Sequence, residues 1–206
     1  ASYPIPEVIR EINTYYLGAK KMNPDVELKI TWVFTWYNPG KEADAAKAMI
    51  DQGCDMVAQH TDSPAPLMAA QEAGVHGFGQ ASDQVKFAPK AQLTATIDNW
   101  SPYYITKIQA LLDGTWETGN YFGDISECDA TGCAVGMAPF TNLPQNVIDH
   151  VTEIRSQIAA GTYHAFTGPI TDNEGKLQLA SGVIADRAHI DSMMYYVEGI
   201  VGTIPK

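Results

Sequence analysis

Residues 38–79, NPGKEADAAKAMIDQGCDMVAQHTDSPAPLMAAQEAGVHGFG, decide the fold of this chain because helix and strand patterns alternate along them. An apolar helical stripe covers residues 39–53, between a proline that starts the helix and a glycine that ends it. A short buried strand follows at residues 55–59, then a helix that ends near Ala73, then a strand at residues 75–79. Helices of this length between short strands are typical of a parallel sheet with crossover helices, so we predict an α/β fold.

The same alternation extends in both directions along the chain. Before this stretch, a helix runs from Pro6 to the break at Asn23-Pro24, and residues 28–35 form a strand. After it, we predict a strand, a helix, a strand, a helix, a hairpin and a last helix, at residues 93–97, 98–114, 134–139, 144–161, 167–182 and 187–199.

The composition is that of a folded protein with an acidic surface. The 206 residues are 45% hydrophobic and 18% charged, and 24 acidic against 13 basic side chains give a formal net charge of −11. An acidic surface without a cluster of Lys and Arg repels phosphates, so we predict no nucleic-acid polymer and no anionic membrane surface as a partner. The sequence has no run of 18 uninterrupted apolar residues and therefore predicts no transmembrane helix.

Loops that follow the predicted strands hold the candidate binding residues. Ligands of an open parallel sheet bind beyond the carboxyl ends of its strands, where loops meet helix N-termini. Trp36, in the first such loop, could stack on a flat ligand or only cover the sheet edge. Asp62 and Asp98 could contact a ligand or cap the following helix, and Trp100 could bind or pack. The four segments concerned are residues 35–39, 60–64, 80–83 and 98–102.

Motifs for catalysis and for metal binding are absent from the sequence. It contains no nucleophile elbow, no phosphate-binding loop, no dinucleotide fingerprint and no zinc-protease helix. His60 and His76 stand alone, without the spacing of metal ligands, so we expect structural roles for both. We therefore predict a protein that is not an enzyme, with no catalytic residue, no metal site and no cofactor.

Three cysteines are present, and two of them lie close together. Cys128 and Cys133 flank a turn-rich segment, ECDATGC at residues 127–133, in which a disulfide could close a small loop. Such a bond would stabilise the fold by about 2 kcal/mol in the chain-entropy model. Free thiols and a metal site are the alternatives, and the metal site lacks further ligands nearby. Cys54, between a glycine and an apolar strand, is typical of a small buried residue.

Several segments, taken in chain order, match one known protein family. They are PIPEV at 4–8, WYNPGKE at 36–42, DQG at 51–53, QHTDS at 59–63, FAPK at 87–90, PYY at 102–104, FTGPI at 166–170 and YVEG at 196–199. Together they resemble the basic membrane protein (BMP) family, the substrate-binding proteins of ABC importers that include bacterial purine nucleoside receptors. The resemblance covers nearly the whole chain.

The resemblance implies a type I periplasmic-binding-protein fold, in which two α/β lobes with helix-flanked parallel sheets are hinged around a ligand cleft. We expect this chain to supply mainly the second lobe, with most of the first lobe missing. Residues 1–82 would form the core of the second lobe, residues 83–101 the crossover toward the first lobe, and residues 102–206 the remainder with the hinge and the C-terminal elements.

The resemblance also implies a ligand and a set of contacts. The base-stacking aromatic of the family falls on Trp36, and the cleft loop falls on Thr61 and Asp62. The next loop begins at Gln80, and the one after it contains Asp98 and Trp100. Nucleoside-binding relatives hold the sugar hydroxyls with an acid and a lysine, where this chain has an alanine and Asp98. A site built for hydroxyls needs such groups, so we expect a free purine base such as adenine rather than a nucleoside.

The expected role is therefore capture of a purine base and delivery to an ABC permease in the membrane. The alternatives are a purine nucleoside receptor, or a nucleoside- or sugar-processing enzyme or sensor built on the same lobes. The family implies a periplasmic or other extracytoplasmic location, with or without a lipid anchor, and an oxidising compartment would suit the Cys128–Cys133 disulfide.

Overall fold

The computed structural model of the chain describes residues 1–119, 121, 125 and 134–206. Its helices and strands are α1 (Pro6–Met22), α2 (Pro39–Asp51), β1 (Met56–Val57), α3 (Ala65–Ala73), β2 (His76–Gly79), β3 (Gln92–Asp98), α4 (Ser101–Leu112), β4 (Val135–Met137), α5 (Gln145–Ala159), β5 (Ile170–Thr171), β6 (Leu177–Leu179) and α6 (Arg187–Asp191). The chain divides into two compact units: unit 1 is residues 1–54, 60–66 and 164–206, and unit 2 is residues 55–59 and 67–163.

Unit 1 is built on helices α1 and α2. Both begin with a proline, whose fixed φ and missing N–H suit the first helical position. The side chain of Asn38 caps α2 by accepting a hydrogen bond from the backbone N–H of Lys41 at 3.1 Å. The predicted starts of both helices are therefore confirmed. The buried side chains of α1 are Val8, Ile9, Asn13 and Tyr16.

The core of unit 1 joins α1 to the C-terminal part of the chain. The predicted hairpin is present, since β5 and β6 pair antiparallel. Asn13, fully buried on α1, donates to the carbonyl of Tyr195 at 2.8 Å and accepts from the N–H of Val197 at 3.1 Å. The buried apolar side chains around it are Ile9, Tyr16, Phe166, Ile170, Leu179, Ala185, Met193, Tyr196, Val197 and Ile200.

The predicted last helix at residues 187–199 is wrong beyond Asp191, where α6 ends. Beyond Asp191, backbone N–H groups donate hydrogen bonds to other parts of unit 1 instead of to a preceding helical turn. The N–H of Val197 donates to Asn13, and the N–H of Glu198 donates to the carbonyl of Thr171 at 2.8 Å. Tertiary hydrogen bonds thus override the local helical pattern.

The predicted strand at residues 28–35 is also absent from the strands that the structure describes. The segment is extended, and its N–H groups at Val33 and Phe34 donate to the carbonyls of Ala1 and Ser2 at 2.9 and 3.0 Å. Phe34 has a φ of 51°, in the left-handed region, and this conformation ends the extended geometry one residue before the predicted end. The pairing is therefore too short to form a regular ladder.

Unit 2 contains a four-stranded sheet in the order β1-β2-β3-β4. β1, β2 and β3 are parallel, as predicted, and β4 pairs antiparallel with β3. Glycine is required on β2 because its neighbours approach so closely. A Cβ atom at Gly77 would lie 2.6 Å from the carbonyl oxygen of Val57, and one at Gly79 would lie 2.7 Å from the Cβ of Ala95. The parallel sheet of the predicted α/β fold is confirmed here.

Two further predictions are judged only on the described residues. Cys128 and Cys133 lie outside them, so the disulfide stays a prediction. Among the helices that the structure describes, none combines the length and the apolar character needed to cross a membrane.

Candidate functional site

The predicted ligand-binding residues fall into two groups, one in each unit. Trp36, Thr61 and Asp62 belong to unit 1, and Gln80, Asp98 and Trp100 belong to unit 2. Within each group the structure brings the loops together.

Trp36 is an exposed indole that contacts two aromatic rings. Its ring centroid lies 5.4 Å from that of Tyr3 and 5.8 Å from that of His60, both tilted. These are distances at which aromatic pairs attract one another. The carbonyl of Trp36 also accepts a hydrogen bond from the N–H of Asp62 at 2.9 Å. Trp36 therefore keeps 39% of its surface exposed while its ring and its backbone are both held.

Glu42 is a buried carboxylate that ties α2 to the loop carrying Thr61 and Asp62. It is 2% exposed, and it accepts hydrogen bonds from the N–H of Asn38 at 2.6 Å and from the N–H of Ser63 at 3.2 Å. The hydroxyl of Ser63 donates to the same carboxylate. The sequence interpretation missed this residue, although an acid in the first turn after Asn-Pro is a known N-terminal signal.

The loop between His60 and the start of α3 places Thr61 and Asp62 differently. Thr61 is buried, and Asp62 is exposed. The capping role that was an alternative for Asp62 is taken by Ser63, whose hydroxyl accepts a hydrogen bond from the N–H of Ala65 at 3.3 Å. The side chain of Asp62 is therefore left facing solvent, beside a backbone that is fixed to Trp36.

His60 lies beneath this loop and contacts α1. Its Nε2 is 3.2 Å from a carboxylate oxygen of Glu11 and 3.9 Å from one of Glu7, and its Nδ1 is 3.4 Å from the hydroxyl of Ser2. Burial by itself would lower the pKa of His60, but the hydrogen bond and charge of Glu11, with the charge of Glu7, outweigh burial and raise the pKa. The imidazole therefore carries a proton more readily than a free histidine does.

In unit 2, Gln80 and Asp98 lie at the carboxyl ends of the neighbouring strands β2 and β3. The side-chain oxygen of Gln80 accepts from the hydroxyl of Thr96 at 3.3 Å. The N–H of Asp98 donates to the carbonyl of Ala81 at 3.1 Å. Ala81 itself has a φ of 57°, a left-handed turn conformation. The turn after β2 is thereby tied to the end of β3.

A chain of glutamine side chains supports the same turn, and the sequence interpretation missed it. Gln59 donates to the side-chain oxygen of Gln84 at 2.9 Å. The N–H of Gln84 donates to Gln92 at 3.0 Å, and Gln92 donates to Asp83 at 2.8 Å. The side-chain oxygen of Gln59 is buried and has no hydrogen-bond partner among the described residues. The position of Gln59 at the end of a predicted strand was the available signal.

Trp100 precedes α4 and contacts only aromatic side chains of that helix among the ring pairs described. Its centroid lies 5.9 Å from that of Tyr103 and 6.3 Å from that of Tyr104. It is more than half exposed. An apolar stripe on α4, at helical spacing, is also exposed and consists of Tyr104, Ile105, Ile108, Leu111 and Leu112.

The described residues include no group of three or more His, Cys, Asp or Glu side chains placed to hold a metal ion. In unit 1, the exposed indole of Trp36 and the exposed Asp62 stand on loops that a backbone hydrogen bond joins. An aromatic ring and a carboxylate are groups that can contact a flat, polar organic molecule.

Comparison with known proteins identifies the family of the chain. Residues 1–158 match the family described as ABC transporter substrate-binding protein PnrA-like, the Bmp family. The chain belongs to the Bmp family. The resemblance stated from the sequence is thereby confirmed.

Two curated relatives of the Bmp chain match over its whole length. It is 46% identical over 205 residues to a purine-binding protein of Brucella abortus, of which it covers 57%. It is 33% identical over 205 residues to a putative ABC transporter glucose-binding protein of Haloferax volcanii, of which it covers 49%. The chain thus spans about half the length of the curated relatives that it matches.

Solved structures of ABC transporter solute-binding proteins share the fold. One from Aeropyrum pernix matches with a TM-score of 0.67 and 16% identity, over 93% of this chain and 58% of that one. One from Conexibacter woesei matches with a TM-score of 0.63 and 18% identity, over 79% of this chain and 54% of that one. The predicted α/β fold of a solute-binding protein is therefore confirmed.

Proposed function

We propose that this Bmp-family protein is the substrate-binding component of an ABC importer and that it captures a purine, most favourably a free base such as adenine. The observation that carries the proposal is the support of Trp36 by Tyr3 and His60. Stacking on a base requires a flat, exposed ring in a fixed orientation, because every degree of freedom frozen on binding costs affinity. The similarity to a purine-binding protein of Brucella abortus supports the same ligand class.

The choice of a free base over a nucleoside rests on the ends of β2 and β3. A ribose would need donors and acceptors for its hydroxyls, and Ala81 offers no polar side chain at the exposed turn. Asp98 contributes a carboxylate at the end of β3, which accepts hydrogen bonds but supplies no donor to a ribose oxygen. Asp62, whose backbone N–H is bonded to the carbonyl of Trp36, is the group we assign to the polar edge of the base.

The same proposal assigns binding without catalysis. The protein would hold the purine between two lobes, close around it by a hinge motion, and pass it to a permease in the membrane. We place it outside the cytoplasm, where such receptors meet their permeases. Incubation with adenosine tests this part, because release of free adenine would reveal a nucleoside-processing enzyme instead.

Calorimetry on the protein at its natural full length tests the ligand. Adenine should bind more tightly than adenosine, and glucose is the competing ligand suggested by the Haloferax volcanii relative. Adenosine binding as tightly as adenine would contradict the free-base assignment, and glucose binding more tightly than either would contradict the purine assignment. Mass spectrometry of a co-purified ligand provides an independent answer.

The role of Trp36 is tested by Trp36→Ala, with Tyr37→Ala as its matched control. Loss of one base–aromatic stack should weaken adenine binding roughly ten- to a hundredfold. Tyr37 is the adjacent aromatic and is 65% exposed, so its removal should leave the affinity nearly unchanged. Equal losses in the two variants would remove Trp36 from the site.

A further inference from the structure

The proposed stacking residue is not held by backbone alone. Trp36 contacts the rings of Tyr3 and His60, and the His60 side chain is only 13% exposed. An imidazole that is mostly enclosed and lies next to an exposed indole limits the directions in which the indole can rotate. The position of His60 therefore bears directly on the orientation of Trp36.

His60 is itself fixed from α1 and from the start of the chain. Glu7 and Glu11 are four residues apart on α1 and so point from the same face of that helix toward Nε2. The opposite ring nitrogen faces the hydroxyl of Ser2. With a partner on each nitrogen, the imidazole cannot turn about its own axis without losing a contact. These are the charged and polar groups that face His60 among the described residues.

Glu7, Glu11 and Ser2 together hold the His60 ring, and we call this arrangement the clamp. Its strength depends on the protonation of His60. The protonated ring donates from both nitrogens and is attracted by both carboxylates. A neutral ring with its proton on Nε2 keeps a hydrogen bond to Glu11 and can accept from the Ser2 hydroxyl, but it loses the attraction to the two charges. The raised pKa of His60 is the expected consequence of this arrangement.

We propose that His60, clamped by Glu7 and Glu11, is a positioning residue that fixes the Trp36 ring for purine stacking, and that loss of its proton loosens that ring. The inference rests on the proposed function of Trp36 and adds the residue that controls it. His60 touches Trp36 and is assigned no contact with the ligand.

Adenine affinity measured against pH on the full-length protein tests the inference. In the wild type, affinity should fall about two- to fivefold as the pH rises through the pKa of His60, since the lost ion pair is partly exposed. His60→Gln should give the low affinity at every pH. Glu11→Gln should move the midpoint of the fall to lower pH, because a removed carboxylate no longer favours the proton. Glu11 is about half exposed, so this variant spares the core.

His150→Gln is the matched control, because His150 also lies near a glutamate, Glu153 at 4.0 Å, but on α5 in unit 2. It should reproduce the wild-type pH profile. If Trp36→Ala weakens adenine binding while His60→Gln keeps the wild-type affinity and profile, the inference is overturned and the proposed function stands. If Trp36→Ala changes nothing, the proposed function of Trp36 fails.

A ligand-free measurement tests the coupling of the two rings separately from ligand binding. The indole N–H resonance of Trp36, followed by NMR against pH, should shift with the same midpoint as the His60 ring protons. In Glu11→Gln both midpoints should move together. An indole resonance that stays constant while His60 titrates would show that the two rings are uncoupled and would overturn the inference.

Discussion

Trp36 in unit 1 and Trp100 in unit 2 are both exposed indoles, but their neighbours differ in kind. Trp36 contacts two rings from distant parts of the sequence, and its carbonyl is bonded to the next loop. Trp100 contacts rings of the helix that follows it, at 5.9 and 6.3 Å. The first indole is oriented by tertiary structure and the second by local structure.

The difference extends to the surroundings of each residue. Around Trp36, a buried carboxylate and a protonatable imidazole connect separate elements of unit 1. Beside Trp100, the apolar stripe of α4 is exposed along three turns. An aromatic ring that its neighbours hold in place, here called braced, is suited to a contact of fixed geometry. An exposed apolar stripe has affinity for any apolar surface. The two regions should therefore respond to mutation in opposite ways.

The largest effect on the free energy of unfolding is expected for Glu42→Ala, in the region of unit 1 around Trp36. This change leaves the N–H groups of Asn38 and Ser63 without their buried acceptor. Each unsatisfied buried donor costs about 1–3 kcal/mol, so we expect a loss of about 3 kcal/mol in the free energy of unfolding. Urea unfolding measures it. Glu27→Ala, at an exposed glutamate, is the control and should stay close to the wild type; equal losses would contradict the assigned role of Glu42.

The next largest effect on stability is expected in unit 2, where Gly77→Ala tests how closely the sheet is packed. In Gly77→Ala the new Cβ would lie 2.6 Å from the Val57 carbonyl oxygen and 2.9 Å from a methyl carbon of Leu67. Overpacking of this kind costs about 1–3 kcal/mol, which urea unfolding should detect. Gly119→Ala, with no atom of the described residues within 4 Å of the added Cβ, is the control. A neutral Gly77→Ala would show that the sheet of unit 2 adapts easily to the added methyl group.

These predictions mark where sequence reasoning succeeds. Asn38 and Pro39 specify a helix start through local chemistry, and α2 begins there. The glycines of β2 and the alternation around them specify a parallel sheet, and β1, β2 and β3 form one. Periodicity and capping act within a few residues, so a sequence displays them directly.

The rest depends on contacts between residues far apart in the chain. Residues 28–35 have the composition of a strand, but within the part of the chain that the structure describes their N–H groups pair with the carbonyls of Ala1 and Ser2 alone. The helix predicted up to Gly199 ends at Asp191, because Asn13 offers better partners to the chain beyond it. Glu42 and His60 acquire their roles only when α2 and α1 reach the loop after β1. No local pattern in the sequence predicts those long-range contacts.

A smaller effect on the free energy of unfolding is expected from the titration of His60 in unit 1. The folded-state pKa of His60 is raised, so its contribution to stability is fully present below its ordinary value of 6.5 and is lost as the pH rises through the folded-state value. Because both carboxylates are about half exposed, we expect a loss of about 0.5–1 kcal/mol as the pH rises from below 6.5 through the folded-state value. The difference between wild type and His60→Gln in urea unfolding at each pH isolates it. A gain in that difference with rising pH would contradict the clamp.

The smallest effect on stability is expected on the exposed stripe of α4, in the double variant Leu111→Gln with Leu112→Gln. These side chains are 66% and 76% exposed, so the free energy of unfolding should change by no more than about 0.5 kcal/mol. Self-association should fall, because an exposed apolar stripe drives contacts between molecules. Light scattering over a range of protein concentrations measures the second quantity.

A matched pair of exposed apolar residues away from α4 makes this last test specific. Val183→Gln with Val201→Gln removes apolar surface from unit 1 at side chains that are 46% and 87% exposed. Because those two residues belong to no helical stripe, their removal should leave association unchanged. The α4 variant could instead lose several kcal/mol of stability while its association stays constant. The stripe would then be buried in solution, and the region of Trp100 would no longer differ from that of Trp36 by an exposed apolar surface.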